Sequence, residues 1–194
     1  MSDSVIRLTD PQALRAYAHP TRMALVGLLR VEGPLTATRA AELTGESVAS
    51  CSYHLRMLAK YGLVEVAEGG AGREKPWRAT ARFTDVPNTS DDPAVAEAAN
   101  ATVAAILQSY FERATRALKT AGQRSPAWQE AETWGDRLLF LTPQELTDLT
   151  RRMDDLLAPY DDRLEHPADR PEGAELVQLV RLAYRHSPKG DPGT

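Results

Sequence analysis

Apolar residues recur every three or four positions through the first third of the chain, in short runs that proline and glycine interrupt. Residues 10–19 begin with Asp10 as a candidate N-cap, and Pro20 ends this first helix. Residues 20–32 carry a wide apolar stripe that ends before Gly33. The pattern therefore predicts two consecutive short helices that meet at a sharp corner.

A third and a fourth helix are predicted directly after this pair. Residues 36–44 form a short helical run that Gly45 closes. Only a tight turn separates Gly45 from ESVASCSYHLRMLAKYGLV, residues 46–64, a run of helix formers that ends at Gly62. A short helix, a turn containing glycine and a second helix are the sequence form of a helix-turn-helix.

The period of the pattern changes from helical to strand-like beyond Gly62. Residues 63–68 and 76–83 are two strand-like runs, and the segment GGAGRE, residues 69–74, joins them. Its glycines supply the positive φ angles that the tip of a hairpin requires. A β-hairpin that follows a helix-turn-helix predicts a wing.

Polar and turn-forming residues at 85–93 predict a domain boundary. We assign residues 1–85 to a winged helix-turn-helix domain and residues 92–187 to a second domain for dimerisation, which could also bind an effector. The last residues, 188–194, are rich in proline and glycine, and we expect a disordered tail there.

One long helical pattern covers residues 93–121 and opens the second half of the chain. Such a helix is too long for a small domain to cover, so we predict that its apolar seam packs against the same helix of a second copy. The predicted dimer seam consists of Val103, Leu107, Tyr110, Ala114 and Leu118.

After a loop at about residues 122–128, the pattern predicts a strand at 136–141 and a helix at 142–159. Residues 161–173 look like a loop, and 174–186 alternate well enough to predict a second strand. The predicted fold class is α+β and mostly helical. It combines an N-terminal winged helix-turn-helix with a C-terminal α/β dimerisation region that the long helix leads.

Charge and composition narrow the class of protein. The net charge is −4, but residues 1–85 hold eleven Lys and Arg against nine Asp and Glu, while the rest holds twelve against eighteen. DNA affinity depends on where cations cluster, so the negative total does not exclude it. There is no apolar run of about 18 residues and no secretory signal, and one cysteine cannot form an internal disulfide. We expect a cytoplasmic protein with no membrane segment.

The fourth helix divides into two faces when it is projected at about 100° per residue. Cys51, Leu55 and Leu58 share one side, which we assign to the core. The other side is polar and basic, as a helix entering the major groove requires. A solvated amphipathic helix shows the same pattern, but the tight turn before it and the basic hairpin after it favour DNA. The predicted DNA contacts are Ser47, Val48, Ala49, Ser52, Tyr53, Arg56 and Lys60 on the helix, with Arg73 and Lys75 on the wing.

Three stretches in this order and spacing resemble the ArsR family of bacterial winged-helix transcriptional regulators. They are AYAHPTRMALVGLL, TATRAAELTGESVASCSYHLRMLAKYGLVEV and GGAGREKPWRAT, and the resemblance covers roughly residues 10–82. The resemblance implies a homodimer that places two recognition helices in successive major grooves of a palindromic operator. It also implies that the wings contact the flanking minor groove or backbone.

The family's metal-binding residues are missing from this chain. The stretch AAELTGES has no cysteine pair, and residues 92–124 contain no histidine. We therefore predict no metal and no cofactor. Cys51 is interpreted as a core residue rather than a redox sensor, and His19 as a helix cap. An acidic group in the second half has no metal-binding spacing, and we expect it to be solvated: Asp154, Asp155, Asp161, Asp162 and Glu165.

Two alternatives to a DNA-binding regulator stay open. A winged helix can serve as a protein-protein interaction module, which the modest charge of the first half would suit. The second half could instead bind or convert a small molecule, although no nucleophile elbow, phosphate loop or zinc-protease motif is present. Its aromatic residues could line an effector pocket or pack in a core: Trp128, Trp134, Phe140, Tyr160 and Tyr184.

Overall fold

The computed structural model describes residues 5–69 and 75–186. Helices dominate this part of the chain, and its strands are short, so the α+β, mostly helical fold class is confirmed. The elements are β1 (Val5–Arg7), α1 (Pro11–Tyr17), α2 (Pro20–Glu32), α3 (Ala37–Thr44), α4 (Val48–Lys60), β2 (Val64–Val66), β3 (Trp77–Ala79), β4 (Phe83–Asp85), α5 (Pro93–Thr120), α6 (Pro126–Ala131) and α7 (Pro143–Glu165). Short 3₁₀ turns follow α5 at Ala121–Gln123 and α7 at Pro167–Asp169.

The starts of α1 and α2 are fixed by local hydrogen bonds. The Asp10 carboxylate accepts from the backbone N–H of Gln12 at 3.0 Å, and proline follows the cap. At α2 the Nδ1 atom of His19 accepts from the N–H of Thr21 at 3.2 Å, again with proline at the first position. His19 is therefore a helix cap, as predicted.

One hydrophobic core joins α1 to α4, the base of the wing and the first part of α5. Leu14, Leu25 and Leu55 are fully buried in it, and Val95 and Ala98 of α5 belong to the same cluster. The core thus continues past the polar residues 85–93 into the long helix. The division into residues 1–85 and 92–187 stays a prediction.

Two small sheets complete this half. The wing pairs β2 with β3 antiparallel, with Val64 opposite Ala79 and Val66 opposite Trp77, so the predicted hairpin strands are confirmed. Leu35 extends the wing through two backbone hydrogen bonds to Trp77, at 2.9 and 2.7 Å. The sequence pattern did not indicate β1, which pairs parallel with β4. This second sheet holds the start of the chain beside the end of the wing.

The predicted seam of α5 lies outside the core. Val103, Leu107 and Leu118 are 38%, 39% and 53% exposed, while Tyr110 and Ala114 are half-buried. Phe111, which the seam prediction omitted, is 69% exposed. This apolar side of α5 is thus largely exposed among the described residues, and its pairing with a second copy stays a prediction.

The predicted strands of the second half are wrong. Residues 136–141 and 174–186 form no strand. The N–H of Ala174 donates to the carbonyl of Pro171 in a local turn, and the other backbone N–H groups of these segments donate to no backbone carbonyl of the described residues. The physical reason is that a strand requires a neighbouring strand, and the described part of one copy offers none. The C-terminal region therefore has no α/β character among its described residues.

Two helix boundaries also differ from the prediction. Residues Pro126–Ala131 form α6 where a loop was expected, because Ser125 caps the N–H of Trp128 at 3.5 Å and Pro126 takes the first helical position. Helix α7 continues through Pro159 to Glu165, so the loop predicted from residue 161 is wrong in its first part. The capping box of Thr142 and Glu145 at its start is confirmed.

Candidate nucleic-acid interface

The turn between α3 and α4 is built from three local features. Thr36 caps α3 by accepting from the N–H of Arg39 at 3.2 Å, and Gly45 ends that helix at φ 75°, in the left-handed region. Ser47 then caps α4 by accepting from the N–H of Ser50 at 3.1 Å. Only Glu46 lies between the cap that ends α3 and the cap that starts α4, so the chain reverses in a tight turn and α4 packs directly across α3.

The inward face of α4 is fully apolar. Cys51, Leu55 and Leu58 each have 0% exposure, which confirms the core face predicted from the helical projection. The Cys51 sulfur lies 3.7 Å from the hydroxyl of Thr44 on α3. Burial of three consecutive turns fixes the rotation of α4 about its axis and therefore fixes which residues face outward.

The outward face of α4 brings most of the predicted contact residues together. Tyr53 is 54% exposed and Val48 is 43% exposed, whereas Ser52 is half-buried. No carboxylate of the described residues forms an ion pair with Arg56, so its guanidinium is available to an anion. The other exposed members of the predicted set on this helix are Ser47, Ala49, Arg56 and Lys60.

A carboxylate at the start of α4 was not anticipated from the sequence. Glu46 accepts a hydrogen bond from the Ser50 hydroxyl at 3.1 Å and one from the Thr21 hydroxyl at 3.4 Å. A helix N-terminus attracts anions, and Glu46 already supplies a negative charge there. Anion contacts therefore depend on the cations further along α4, at Arg56 and Lys60.

The wing contributes one described member of the predicted set. Lys75 is exposed just before β3, whereas Arg73 lies outside the described residues. Arg78 on β3 points to the partner strand, where its Nη2 atom lies 2.7 Å from a Glu65 carboxylate oxygen. That pair neutralises one wing cation, whereas Lys75 forms no ion pair with a carboxylate of residues 5–69 and 75–186.

A family model described as a helix-turn-helix domain matches residues 17–67, from the end of α1 through β2. This chain carries a helix-turn-helix domain. The match contains α3, the turn at Gly45 and all of α4, which are the elements that the packing above sets against one another. No curated protein matches the chain.

Arg39 is a cation of the helix-turn-helix domain that the sequence prediction left out. It is exposed on α3, where its Nη1 atom lies 2.7 Å from the carboxylate of Glu42. In helix-turn-helix proteins the helix before the recognition helix crosses the DNA backbone, so Arg39 lies on the element that such proteins place near phosphates. Glu42 neutralises its charge, however, as Glu65 neutralises that of Arg78. The signal in the sequence was only a single arginine, which is too common to single out.

Two imidazole rings, of His19 at the start of α2 and His54 on α4, contact each other within the helix-turn-helix domain. The rings of His19 and His54 have centroids 4.6 Å apart, and the ring of Tyr53 meets that of His54 edge-on at 5.2 Å. Burial lowers the pKa of both histidines, and the nearby Arg22 guanidinium lowers each pKa further. Both shifts favour the neutral imidazoles, and the ring of His54 contacts Tyr53 beside the outward face.

Acidic and aromatic residues of the second half form no site among the described residues. No group of three or more His, Cys, Asp or Glu in residues 5–69 and 75–186 is placed to hold a metal. Instead, Asp154 binds Arg181, and Asp162 lies 3.6 Å from Arg82. The aromatic residues lie outside the core, because Trp128 is half-buried and the rest are exposed: Trp134, Phe140, Tyr160 and Tyr184. No described helix is apolar enough over its length to cross a bilayer.

Proposed function

We propose that this protein is a transcriptional regulator of ArsR type that binds double-stranded DNA as a homodimer. The observation that carries the proposal is the division of α4 into a fully buried face and an exposed face that holds Tyr53 and Arg56. A helix so fixed by its core, and preceded by a tight turn, is the element that such domains insert into the major groove. The helix-turn-helix match to residues 17–67 supports the same function.

Each exposed residue of α4 has a role in this proposal. Ala49 and Val48 are small enough near the helix start to approach a thymine methyl, while Ser52 and Tyr53 can donate to phosphates or base edges. Arg56 offers a two-pronged donor to guanine or to a phosphate, and Lys60 contacts the backbone. On the wing, Arg73 and Lys75 bind the backbone or the minor groove.

The homodimer completes the proposed geometry. The exposed apolar side of α5, with Val103 and Leu107 near the middle, packs against the same side of a second copy. Two recognition helices would then lie about 34 Å apart, one turn of DNA, and the operator would be palindromic. Because its proposed partner is the chromosome of a bacterial cell, the proposal places the protein in the cytoplasm and assigns it no catalytic step.

The direct test is binding of the full chain to two labelled duplexes, measured by fluorescence anisotropy over a range of salt concentrations. One duplex covers the DNA upstream of the protein's own gene, and the other is a scrambled duplex of equal length and composition. We expect the upstream duplex to bind more tightly, and Arg56→Ala to weaken that binding by about tenfold or more. The control is Arg152→Ala, which removes an exposed arginine on α7.

The same titration separates DNA binding from a protein-interaction role. If Arg56 contacts a phosphate, Arg56→Ala should reduce the magnitude of the slope of log affinity against log salt by about one. If neither duplex bound, or if both bound equally and Arg56→Ala changed neither affinity nor slope, the regulator function would be wrong. The winged helix would then be a surface for contacting another protein.

A further inference from the structure

None of the described side chains after Thr102 is buried, a statement that does not include Glu165. Nineteen of the twenty-five large apolar side chains that are exposed in the described residues lie in this stretch. A monomeric protein exposes apolar patches of only about 300–600 Å². Residues 103–186 therefore carry apolar surface that another chain must cover.

Much of this surface lies on two unpaired segments, which we call the first arm (residues 133–141) and the second arm (residues 174–186). Neither contains a helix, turn or bend. The arms carry eleven of the exposed apolar side chains, among them Phe140 at 108% and Tyr184 at 76%. At roughly 100 Å² for each side chain, the arms alone exceed the ~800 Å² that each partner contributes to a stable interface.

The second arm has the composition of a buried strand without a neighbour. Leu176, Val180 and Leu182 share one side at period two, with exposures of 70%, 41% and 56%. A long apolar strand with free backbone groups is a template for pairing with another strand. A paired strand would satisfy both the backbone groups and these side chains.

The charges of the second arm indicate which strand pairs with it. Its start is acidic at Glu175 and its end is basic at Arg185, and both side chains are exposed. Two copies of the arm aligned antiparallel therefore bring opposite charges together at both ends. When the alignment is centred on Val180, Glu175 faces Arg185 and Leu176 faces Tyr184, each pair occurring twice.

A competing alignment is centred on Gln178 and would place Glu175 opposite Arg181. The Arg181 guanidinium is already bound to the carboxylate of Asp154 on α7 of its own copy. That alignment also places Leu182 opposite the small Ala174 and leaves Tyr184 without an opposite residue within the arm. The alignment centred on Val180 instead pairs Glu175 with Arg185, which binds no carboxylate of the described residues. It also gives every apolar residue of the second arm an opposite residue.

We propose that the second arms of two copies form an antiparallel β-ladder centred on Val180, with α7 of each copy lying along one face of it. The proposal rests on the proposed homodimer and adds to it a specific interface, which is separate from the seam of α5. The interface is symmetric, because the same residues of each copy form it. It does not depend on the binding of DNA.

Disulfide trapping of the full chain tests the register directly. Opposite residues of an antiparallel pair have Cα atoms about 4.5–5.5 Å apart, within the range that a disulfide bridges. Val180→Cys should therefore give a covalent dimer on mild oxidation. Leu182→Cys is the matched control, because the two copies of residue 182 would lie four residues, or roughly 13 Å, apart along the strands. The native Cys51 is fully buried, so it contributes little background.

Charge reversal gives an independent measurement by sedimentation of the same full-length protein. Glu175→Arg and Arg185→Glu should each weaken the dimer several-fold, because like charges then face each other twice, and the double variant should restore it. Equal trapping of the two cysteine variants, or no restoration in the double variant, would overturn the arm interface.

Sedimentation of the unmodified chain keeps this failure distinct from failure of the proposed function. A stable dimer that Val180→Cys cannot trap would overturn the arm pairing alone and leave the α5 dimer standing. A chain that stays monomeric at high micromolar concentration would overturn both dimer proposals, whereas the DNA titration reports on DNA binding by itself.

Discussion

The imidazole rings of His19 and His54 lie with their centroids 4.6 Å apart and are tilted by 38°. His19 caps α2 and His54 lies on α4, so this contact joins the start of one helix to the middle of the proposed recognition helix. The pair faces the Arg22 guanidinium on α2 and the Glu46 carboxylate before α4. The stability of the helix-turn-helix domain is therefore linked to the protonation of two histidines.

We predict that the folded protein loses stability as the pH falls from about 7.5 to 5. Burial first, and then Arg22, hold the pKa of each histidine below its ordinary value of 6.5. The unfolded chain therefore takes up protons at a higher pH than the folded chain, so the free energy of unfolding decreases as the pH falls through 6.5. Protonation of His19 also removes the Nδ1 acceptor of the Thr21 N–H.

Urea unfolding at a series of pH values measures this effect. His54→Gln should flatten the pH dependence, because it removes one titrating ring and the mutual repulsion of the pair. The control is His166→Gln, which removes an exposed histidine after α7. A profile that keeps its full slope in His54→Gln would show that other groups cause the acid sensitivity.

A second prediction concerns the hydroxyl of Thr102, which joins α5 to α1. This side chain has 0% exposure, and its Oγ1 atom lies 3.1 Å from the carbonyl of Leu14 and 2.7 Å from that of Ala98. Thr102→Val keeps the shape and removes the donor, so the free energy of unfolding should fall by about 1–2 kcal/mol. Thr102→Ser keeps the hydroxyl but leaves a small cavity, and Thr120→Val at an exposed site is the control.

Chemical denaturation followed by circular dichroism gives these values. An unchanged midpoint in Thr102→Val would mean that the α1 and α5 contact is held by apolar packing alone.

Cys51 yields a third prediction because it is buried against α3. We expect its thiol to react with an aromatic disulfide reagent far more slowly in the native protein than in urea, since its exposure is 0%. Cys51→Ser places a more polar group in the core and should cost about 1–3 kcal/mol of stability. At a temperature where both proteins are folded, their affinity for the operator should be equal. Fast native labelling, or loss of DNA binding on mild oxidation, would instead indicate a redox sensor.

The helix-turn-helix could be predicted from the sequence because its determinants are local. Thr36 fixes the start of α3, Gly45 fixes its end, and Ser47 fixes the start of α4, each through contacts with residues no more than about four positions away. The spacing of the apolar residues fixes the inward face of α4. The parallel pairing of β1 with β4 could not be predicted in this way. It joins Val5 to Phe83 across most of the domain, and neither three-residue strand has a recognisable pattern.

The same distinction explains the errors in the second half. The alternation in residues 174–186 is a real property of the sequence, but a strand forms only when a second strand supplies its hydrogen bonds. In one copy the described residues supply none. The opposite error occurs in α7, which was predicted to end at Pro159 but continues to Glu165. Proline ordinarily ends a helix, but here the helix continues on both sides of it.

The sequence predicted the buried face of α4 correctly, but it did not predict the polar contacts at the start of that helix. The roles of Cys51 and Leu55 follow from helical geometry alone. Glu46 accepts a hydrogen bond from Thr21 on α2, twenty-five residues earlier in the chain. No rule based on sequence spacing predicts a contact between residues so far apart. Electrostatic partners that are distant in the chain are thus the part that only the structure supplies.

Arg30 yields the last prediction, because it ties α2 to the segment after the wing. Its Nε atom donates to the carbonyl of Ala81 at 3.0 Å, and its Nη2 atom donates to the hydroxyl of Thr84 at 2.7 Å. Arg30→Ala leaves both acceptors without this donor and should lower the free energy of unfolding by about 2–4 kcal/mol. Thr84→Val removes only one of the two bonds and should cost about 1–2 kcal/mol.

A double-mutant cycle with Arg30→Ala and Thr84→Val isolates the contact between the two side chains. The second substitution should cost almost nothing once Arg30 is gone, because their shared hydrogen bond is already lost. Strictly additive losses would mean that the two residues stabilise the wing independently. Because Arg30 anchors the strand that follows the wing, the alanine variant should also reduce hydrogen-exchange protection in β3 and β4 more than in α1.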